Sequence, residues 1–122
     1  FKVKDQSTVD NMPLCFVFTN LAATAIPRMF GERLTDTVAK VLNKPVEKIT
    51  VVTQAGLPMV RAGSTDPAVL VQIHSIAVFD AEKNPKYSEQ FLEFLKNEFS
   101  LPANRLMLEY VDLPAYMVCS GK

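Results

Sequence analysis

The chain has 122 residues and a mass of 13.6 kDa, enough for one domain with its own hydrophobic core and too little for two ordinary ones. Apolar residues make up 48% and charged residues 21%, with 13 Lys and Arg against 13 Asp and Glu. This balance excludes a disordered or fibrous chain and leaves no net field to draw in nucleic acid or an anionic membrane surface. No apolar run approaches the roughly 18 residues of a membrane span. A single histidine and two distant cysteines, Cys15 and Cys119, supply no zinc set, disulfide framework or thiol-redox pair. Both cysteines read as free thiols, and the chemistry expected is free of metal and cofactor.

Residues 1–11, Phe-Lys-Val-Lys-Asp-Gln-Ser-Thr-Val-Asp-Asn, carry two lysines against two aspartates and have no apolar signal-peptide core. A strand is expected near 14–19, where Leu14 to Phe18 are apolar. From Pro27 to Asn43 apolar residues fall at helical spacing, with Phe30, Leu34, Val38 and Leu42 on one stripe. Pro45 ends this helix, because the residue before a proline is pushed out of the α region. A second strand is expected near 48–53. Gln54 to Pro67 hold two of the four glycines and two of the eight prolines and form the connection between halves. The third strand is expected over 69–79. Asn84 and Pro85 then start the second helix as N-cap and first helical residue, Pro102 ends it, and a last strand follows near 105–111.

These elements repeat. Phe30, Leu34, Val38 and Leu42 return 57 residues later as Tyr87, Phe91, Leu95 and Phe99, and Pro45 and Lys48 return as Pro102 and Arg105. The unit is βαβ, present twice, and the fold class is α/β: two βαβ pseudo-repeats forming a four-stranded sheet with two helices on one face. Leu-Cys-Phe-Val-Phe and Val-Leu-Val-Gln-Ile do not alternate like strands with one wet face, so the second face needs a cover. No third helix exists to supply it, which points to further copies of the chain, burying apolar area at about 25 cal/mol per Å².

Met12-Pro13 stands immediately before the first strand of this doubled unit. With Thr19-Asn20-Leu21, Asn43-Lys44-Pro45, Gly63-Ser64-Thr65-Asp66-Pro67 and His74-Ser75-Ile76, the pattern resembles the tautomerase superfamily, and more closely its macrophage migration inhibitory factor and D-dopachrome tautomerase family. The resemblance runs from Pro13 to about Val118. It implies a domain over 12–122 that assembles as a homotrimer with active sites between subunits, and a catalytic base that is the secondary amine of an N-terminal proline. Pro13 would be that base. Substrate-binding roles fall by resemblance on Lys44, Ser75, Ile76, Met107, Glu109 and Val118, with Ile76 contributing its backbone N–H. The implied substrate is a small α-keto acid or dopachrome-like compound. The resemblance further implies a cell-surface receptor as a partner, and a cytoplasmic protein that is also secreted by a non-classical route. Keto–enol tautomerisation moves a proton from a carbon beside a carbonyl, so it needs a base poised near neutral pH and a group to hold the enolate. Desolvation and the charge of Lys44 would both depress the pKa of a Pro13 amine.

Without the resemblance, Pro13 reads as the opener of an edge strand, Lys44 and Lys48 as solvated lysines, and His74 as a core histidine outside catalysis. The pattern also departs from the family. Residues 1–11 precede Met12, so the Pro13 nitrogen in this sequence is a tertiary amide, which cannot act as a base. The segment is read as an artificial addition ahead of a native start at Met12, the alternative being a natural extension in a member that has abandoned catalysis. Met107 and Glu109 stand where the family has Tyr and Asn, and Ser120 stands where it has Trp. Glu109 could pair with Lys44 and cancel its charge. Ala68-Val69-Leu70-Val71 replaces the family's Cys-x-x-Cys, and the tail ends early at Lys122.

Overall fold

A computed structural model describes residues 12–121; the reading of 1–11 as an added segment lies outside the described residues. Four strands, β1 (Leu14–Thr19), β2 (Thr50–Gln54), β3 (Val69–Ser75) and β4 (Leu106–Asp112), form one sheet in the order β2-β1-β3-β4. Helix α1 (Phe30–Leu42) joins β1 to β2, and α2 (Asn84–Phe99) joins β3 to β4. Both crossovers join parallel strands, while β1 and β3 pair antiparallel at the centre. The sheet is thus two βαβ units placed back to back.

One apolar core lies between the sheet and the helices. It joins Cys15 and Val17 of β1, the α1 stripe Phe30, Leu34, Val38 and Leu42, Val69, Val71 and Ile73 of β3, Phe91 and Leu95 of α2, and Leu106 of β4. The 57-residue offset survives in the backbone. Asn43 and Ser100 cap the two helices in the left-handed region, at φ 56° and 54°, and donate their N–H groups to Ala39 O and Lys96 O. A 3₁₀ turn follows each cap, at Val46–Lys48 and at Ala103–Arg105. The stop is therefore made at Asn43 and Ser100 rather than at proline itself; Pro45 and Pro102, two residues on, keep the chain from resuming the helix.

Several boundaries shift from the sequence reading, and three of the shifts have a visible cause. Asn84 is not the N-cap of α2. It is the first residue of α2, Lys83 before it makes no side-chain cap, and Asp80 instead holds the turn that leads in: its Oδ1 accepts the N–H groups of Glu82 at 3.0 Å and Lys83 at 2.7 Å, while Asn84 donates its N–H to Asp80 O and accepts the Asp80 N–H on Oδ1. β3 stops at Ser75 rather than running to 79, because the chain turns left-handed at Ala77, φ 57°. β2 begins at Thr50 because the preceding residues are held in the 3₁₀ turn.

Burial alternates along β1 and β3. Cys15, Val17, Thr19, Val69, Val71, Ile73 and Ser75 lie under the helices. Strand register places Leu14, Phe16, Phe18, Val52, Leu70, Met107 and Val111 on the opposite face, where Val52 is 37% and Met107 39% exposed. Thr50, Gln72, His74 and Glu109 share that face, but its β1 positions are all apolar and it carries no helix, which accounts for the missing polar alternation in the first strand. Among the described residues, no helix is long and apolar enough to cross a membrane.

Candidate functional site

Pro13 directly precedes β1, and its ring is fully buried. It has no N–H to give a ladder, but its carbonyl accepts the Thr50 N–H at 3.0 Å, tying it to the start of β2. On its other side, Leu14 is paired with His74 in the antiparallel ladder, so continuing the register one residue sets Pro13 opposite Ser75, the last residue of β3. Ile76 follows, buried at 7% exposure. Leu113 donates its N–H to Ser75 O at 2.8 Å, drawing the end of β4 to the same place. Lys44 and Lys48, both half-buried, lie on the connection that enters β2 at this end of the sheet. The Lys44 backbone N–H is bound to Ala39 O at 2.9 Å, and Pro45 is extended at ψ 139°.

The structure therefore gathers Pro13, Ser75 and Ile76 at one sheet end, with Lys44 on the adjoining connection. It does not bring Met107 and Glu109 there. Met107 pairs with Leu70, and Leu70 with Phe18, so Met107 is displaced from Pro13 by five residues along the strand, about 17 Å at ~3.4 Å per residue. Glu109 accepts a hydrogen bond from Gln72 Nε2 at 2.7 Å across β3 and β4. Lys44 leads into β2 and Glu109 belongs to β4, the opposite edges of the sheet, so the pairing of these two foreseen from sequence does not belong to one chain's sheet. Val118 lies beyond β4, after the 3₁₀ turn Ala115–Met117, and is half-exposed. His74 faces away from the helices with its ring edge-on to Phe16, centroids 5.3 Å apart, a packing contact.

Two of the motifs turn out to hold a loop. Asn20 donates through Nδ2 to Thr65 O and Asp66 O and accepts the Ala68 N–H on Oδ1, while Thr19 Oγ1 donates to Ala68 O at 2.7 Å. Arg105, 7% exposed, closes the same loop: Nε donates to Pro67 O, Nη1 to Arg61 O, and Nη2 to Ser64 O and Asp66 O. Sequence reasoning registered Arg105 only as a repeat of Lys48. A basic residue just ahead of an apolar strand was its one signal. Inside the loop, Arg61 and Ser64 exchange backbone hydrogen bonds around Ala62 and Gly63, both at positive φ, a turn of the kind hairpins use. Next to it Met59, Val60, Leu70 and Met107 border a depression of about 240 Å³, with Val60 71% exposed. This apolar surface is at the sheet end remote from Pro13.

Burial pushes the Cys15 thiol up to about 12, which keeps it protonated and unreactive near neutral pH; Cys119 is exposed. No group of three or more His, Cys, Asp or Glu among the described residues is arranged to hold a metal ion.

The model of the macrophage migration inhibitory factor family matches residues 12–121. Among similar proteins, the MIF-like protein mif-2 of Caenorhabditis elegans is 36% identical over 103 residues, which is 84% of this chain and 86% of that protein. The D-dopachrome decarboxylase of Gallus gallus is 32% identical over 108 residues, 88% of this chain and 92% of that protein. The structure of macrophage migration inhibitory factor from Oncomelania hupensis superposes with a TM-score of 0.82 at 25% identity, covering 90% of this chain and 79% of that one.

Proposed function

The chain belongs to the macrophage migration inhibitory factor family, and from that premise we propose that it is a cofactor-free keto–enol tautomerase whose base is the Pro13 amine, set free when the chain is cut after Met12. The observation that carries the reading is the meeting of Pro13, Ser75 and Ile76 at one end of the sheet, on the sequence positions where the family places its base and pocket. The substrate is a small α-keto acid or a dopachrome-like compound, in keeping with the relatives named for D-dopachrome.

The steps follow from the groups present. The neutral Pro13 nitrogen takes a proton from the carbon beside the substrate carbonyl; the C–H electron pair becomes the enol double bond, and the carbonyl oxygen gathers the charge. The Lys44 ammonium and the Ile76 N–H hold that oxygen or the neighbouring carboxylate. The proton on Pro13 then returns to the other site of the tautomeric pair, so the base is regenerated and nothing is consumed. Burial of the ring keeps water away from the amine and disfavours its charged form.

The proposed working form is a homotrimer. Met107 and Glu109 are remote from Pro13 in their own chain, and a neighbouring copy would bring them, with the apolar surface around Met59 and Val60, against it. Met107 and Glu109 in place of aromatic and amide walls favour a less flat substrate than phenylpyruvate.

The nitrogen of Pro13 is acylated by Met12 in this chain, and that favours a second reading: a cytokine-like signalling or binding module whose pocket is catalytically silent. One experiment separates the two. Chains verified by mass spectrometry to begin at Pro13 or at Met12 are assayed for enol-to-ketone conversion, with Pro13→Gly beside them. Turnover only in the Pro13 chain, lowered at least ~100-fold in the glycine variant, is expected. Equal rates in all three, or none in the Pro13 chain, would refute the base assignment.

A further inference from the structure

Among the described residues, two buried side-chain polar atoms lack a hydrogen-bond partner, Arg61 Nε and Ser75 Oγ. Ser75 is completely buried, and a buried hydroxyl without a partner is costly enough that proteins seldom leave one. Its place in the ladder shows what it faces. Thr19 with Val69, Val17 with Val71, and Cys15 with Ile73 run down the helix-covered face as opposite pairs. The next pair in that alternation is Pro13 and Ser75, and directly opposite side chains have Cβ atoms about 5 Å apart. A proline nitrogen inside a peptide has no hydrogen, and its lone pair is tied up in the amide, so an acylated Pro13 offers Ser75 nothing. A chain that begins at Pro13 has a secondary amine in the same position.

We propose that Ser75 Oγ accepts a hydrogen bond from the Pro13 amine and so directs the amine's lone pair. The inference rests on the reading of Pro13 as the base and gives Ser75 a different task from lining the substrate pocket. A neutral secondary amine has one N–H and one lone pair. With the N–H committed to Ser75 under the helices, the lone pair is turned away from the helix layer, toward the mouth of the site. When the amine takes up the substrate proton it has two N–H groups: one remains on Oγ, and the other is the proton handed back. Ser75 touches neither substrate nor enolate and is a positioning residue.

The titratable groups that the elements meeting here carry at this end of the sheet are Cys15, Lys44, Glu47, Lys48, His74, Tyr87, Tyr110 and Asp112. The Tyr87 hydroxyl is given to Val78 O, and that of Tyr110 is shared with Ser88. Lys44 and Lys48 oppose protonation of the amine, Glu47 and Asp112 favour it, and none of the eight bonds Ser75 Oγ. An acceptor for the amine N–H stabilises the ammonium more than the neutral amine, so losing it must lower the amine pKa.

The test uses chains beginning at Pro13, labelled with ¹⁵N-proline, with Ser75 intact or Ser75→Ala, and follows the Pro13 nitrogen by NMR as pH is varied. No substrate is needed for that measurement. The alanine variant is expected to titrate about one unit lower. Its kcat should fall about tenfold with KM little changed, and the acid limb of kcat/KM should move down with the amine. In a chain that keeps Met12, Ser75→Ala should leave the unfolding midpoint unchanged or higher, because there the hydroxyl has no partner to lose. Identical titration of the two Pro13 chains would overturn the proposal, whatever the tautomerase assay gives. A shifted titration without turnover would support the hydrogen bond and refute Pro13 as a working base. A crystal structure of the unsubstituted Pro13 chain gives a reading that does not depend on the variant folding: Oγ and the nitrogen within about 3.2 Å supports the bond, and a wider separation or a water in the gap overturns it.

Discussion

Arg105 shows how much one side chain can fasten. Its guanidinium reaches four backbone carbonyls, those of Arg61, Ser64, Asp66 and Pro67, a fork geometry that no other side chain reproduces. Arg105→Met should lower stability in urea by about 3 kcal/mol, because the carbonyls lose their donors while the loop stays packed. Arg105→Lys should recover little, since one ammonium cannot span acceptors set that far apart; full recovery would mean that only the charge matters. Cys15 gives a second residue-scale outcome. In the native protein a thiol reagent at pH 8 should titrate Cys119 promptly and Cys15 only on unfolding. The folded thiol stays protonated until about 12, against an ordinary value of 9.0, so the unfolded chain ionises first. Stability from this group is intact below pH 9 and should fall by up to ~1.4 kcal/mol per pH unit toward 12. Equal reactivity of the two thiols would contradict the burial of Cys15. Free cysteines were expected from the lack of a multi-cysteine framework and are found, but the roles of Arg105 and Ser75 are not readable from sequence. Four carbonyls converge on one guanidinium, and one hydroxyl is left without a partner, only after distant segments have met.

At the scale of elements the repeat was the most legible feature, because each half obeys the same local rules. The α1 stripe is buried along its length, and the left-handed caps at Asn43 and Ser100 keep the 57-residue offset. The start of α2 was less legible because two residues suited to capping, Asp80 and Asn84, are four apart. A rule that favours the one before Pro85 selects Asn84, whereas hydrogen bonding selects Asp80, whose carboxylate receives two N–H groups of the turn that leads into the helix. Those bonds, led by the one from Lys83, hold the Asp80 carboxyl below its ordinary 3.8. The help it gives α2 is therefore present above pH 3.8 and fades as pH falls through the lowered value. Asp80→Ala should speed amide exchange at Glu82 and Lys83, in the turn that leads into α2, at pH 7, while Asp80→Asn should largely keep it slow. Unchanged protection in the alanine variant would mean that Asp80 does not hold that turn. The strand ends were missed for a related reason: the left-handed turn at Ala77 has no glycine to announce it.

At the scale of the whole molecule, one chain brings together part of the candidate site read from the sequence and leaves Met107 and Glu109 apart from it. Pro13, Ser75 and Ile76 meet because the central antiparallel pair joins the start of β1 to the end of β3, a consequence of topology that the two βαβ units dictate. Met107 and Glu109 belong to the far edge strand of the same sheet, away from Pro13, and in the proposed trimer a neighbouring molecule would carry them to it. In the proposed trimer the helix-free face would supply the reason to associate. Leu14, Phe16, Phe18, Val52 and Leu70 lie on it side by side, and apolar area removed from water there contributes about 25 cal/mol per Å². Phe16→Glu puts a charge in the middle of this face while leaving the core under the helices untouched, since Phe16 points away from it. Sedimentation should find the parent chain at three times the monomer mass and the variant at or near the monomer, with both showing the same far-ultraviolet helix signal. In a chain beginning at Pro13, tautomerase turnover should fall with the sedimenting mass and return as the variant is concentrated. A parent that sediments as a monomer yet turns over substrate would mean that Pro13, Lys44 and Ile76 suffice within one chain, and Met107 and Glu109 would lose their part in the site.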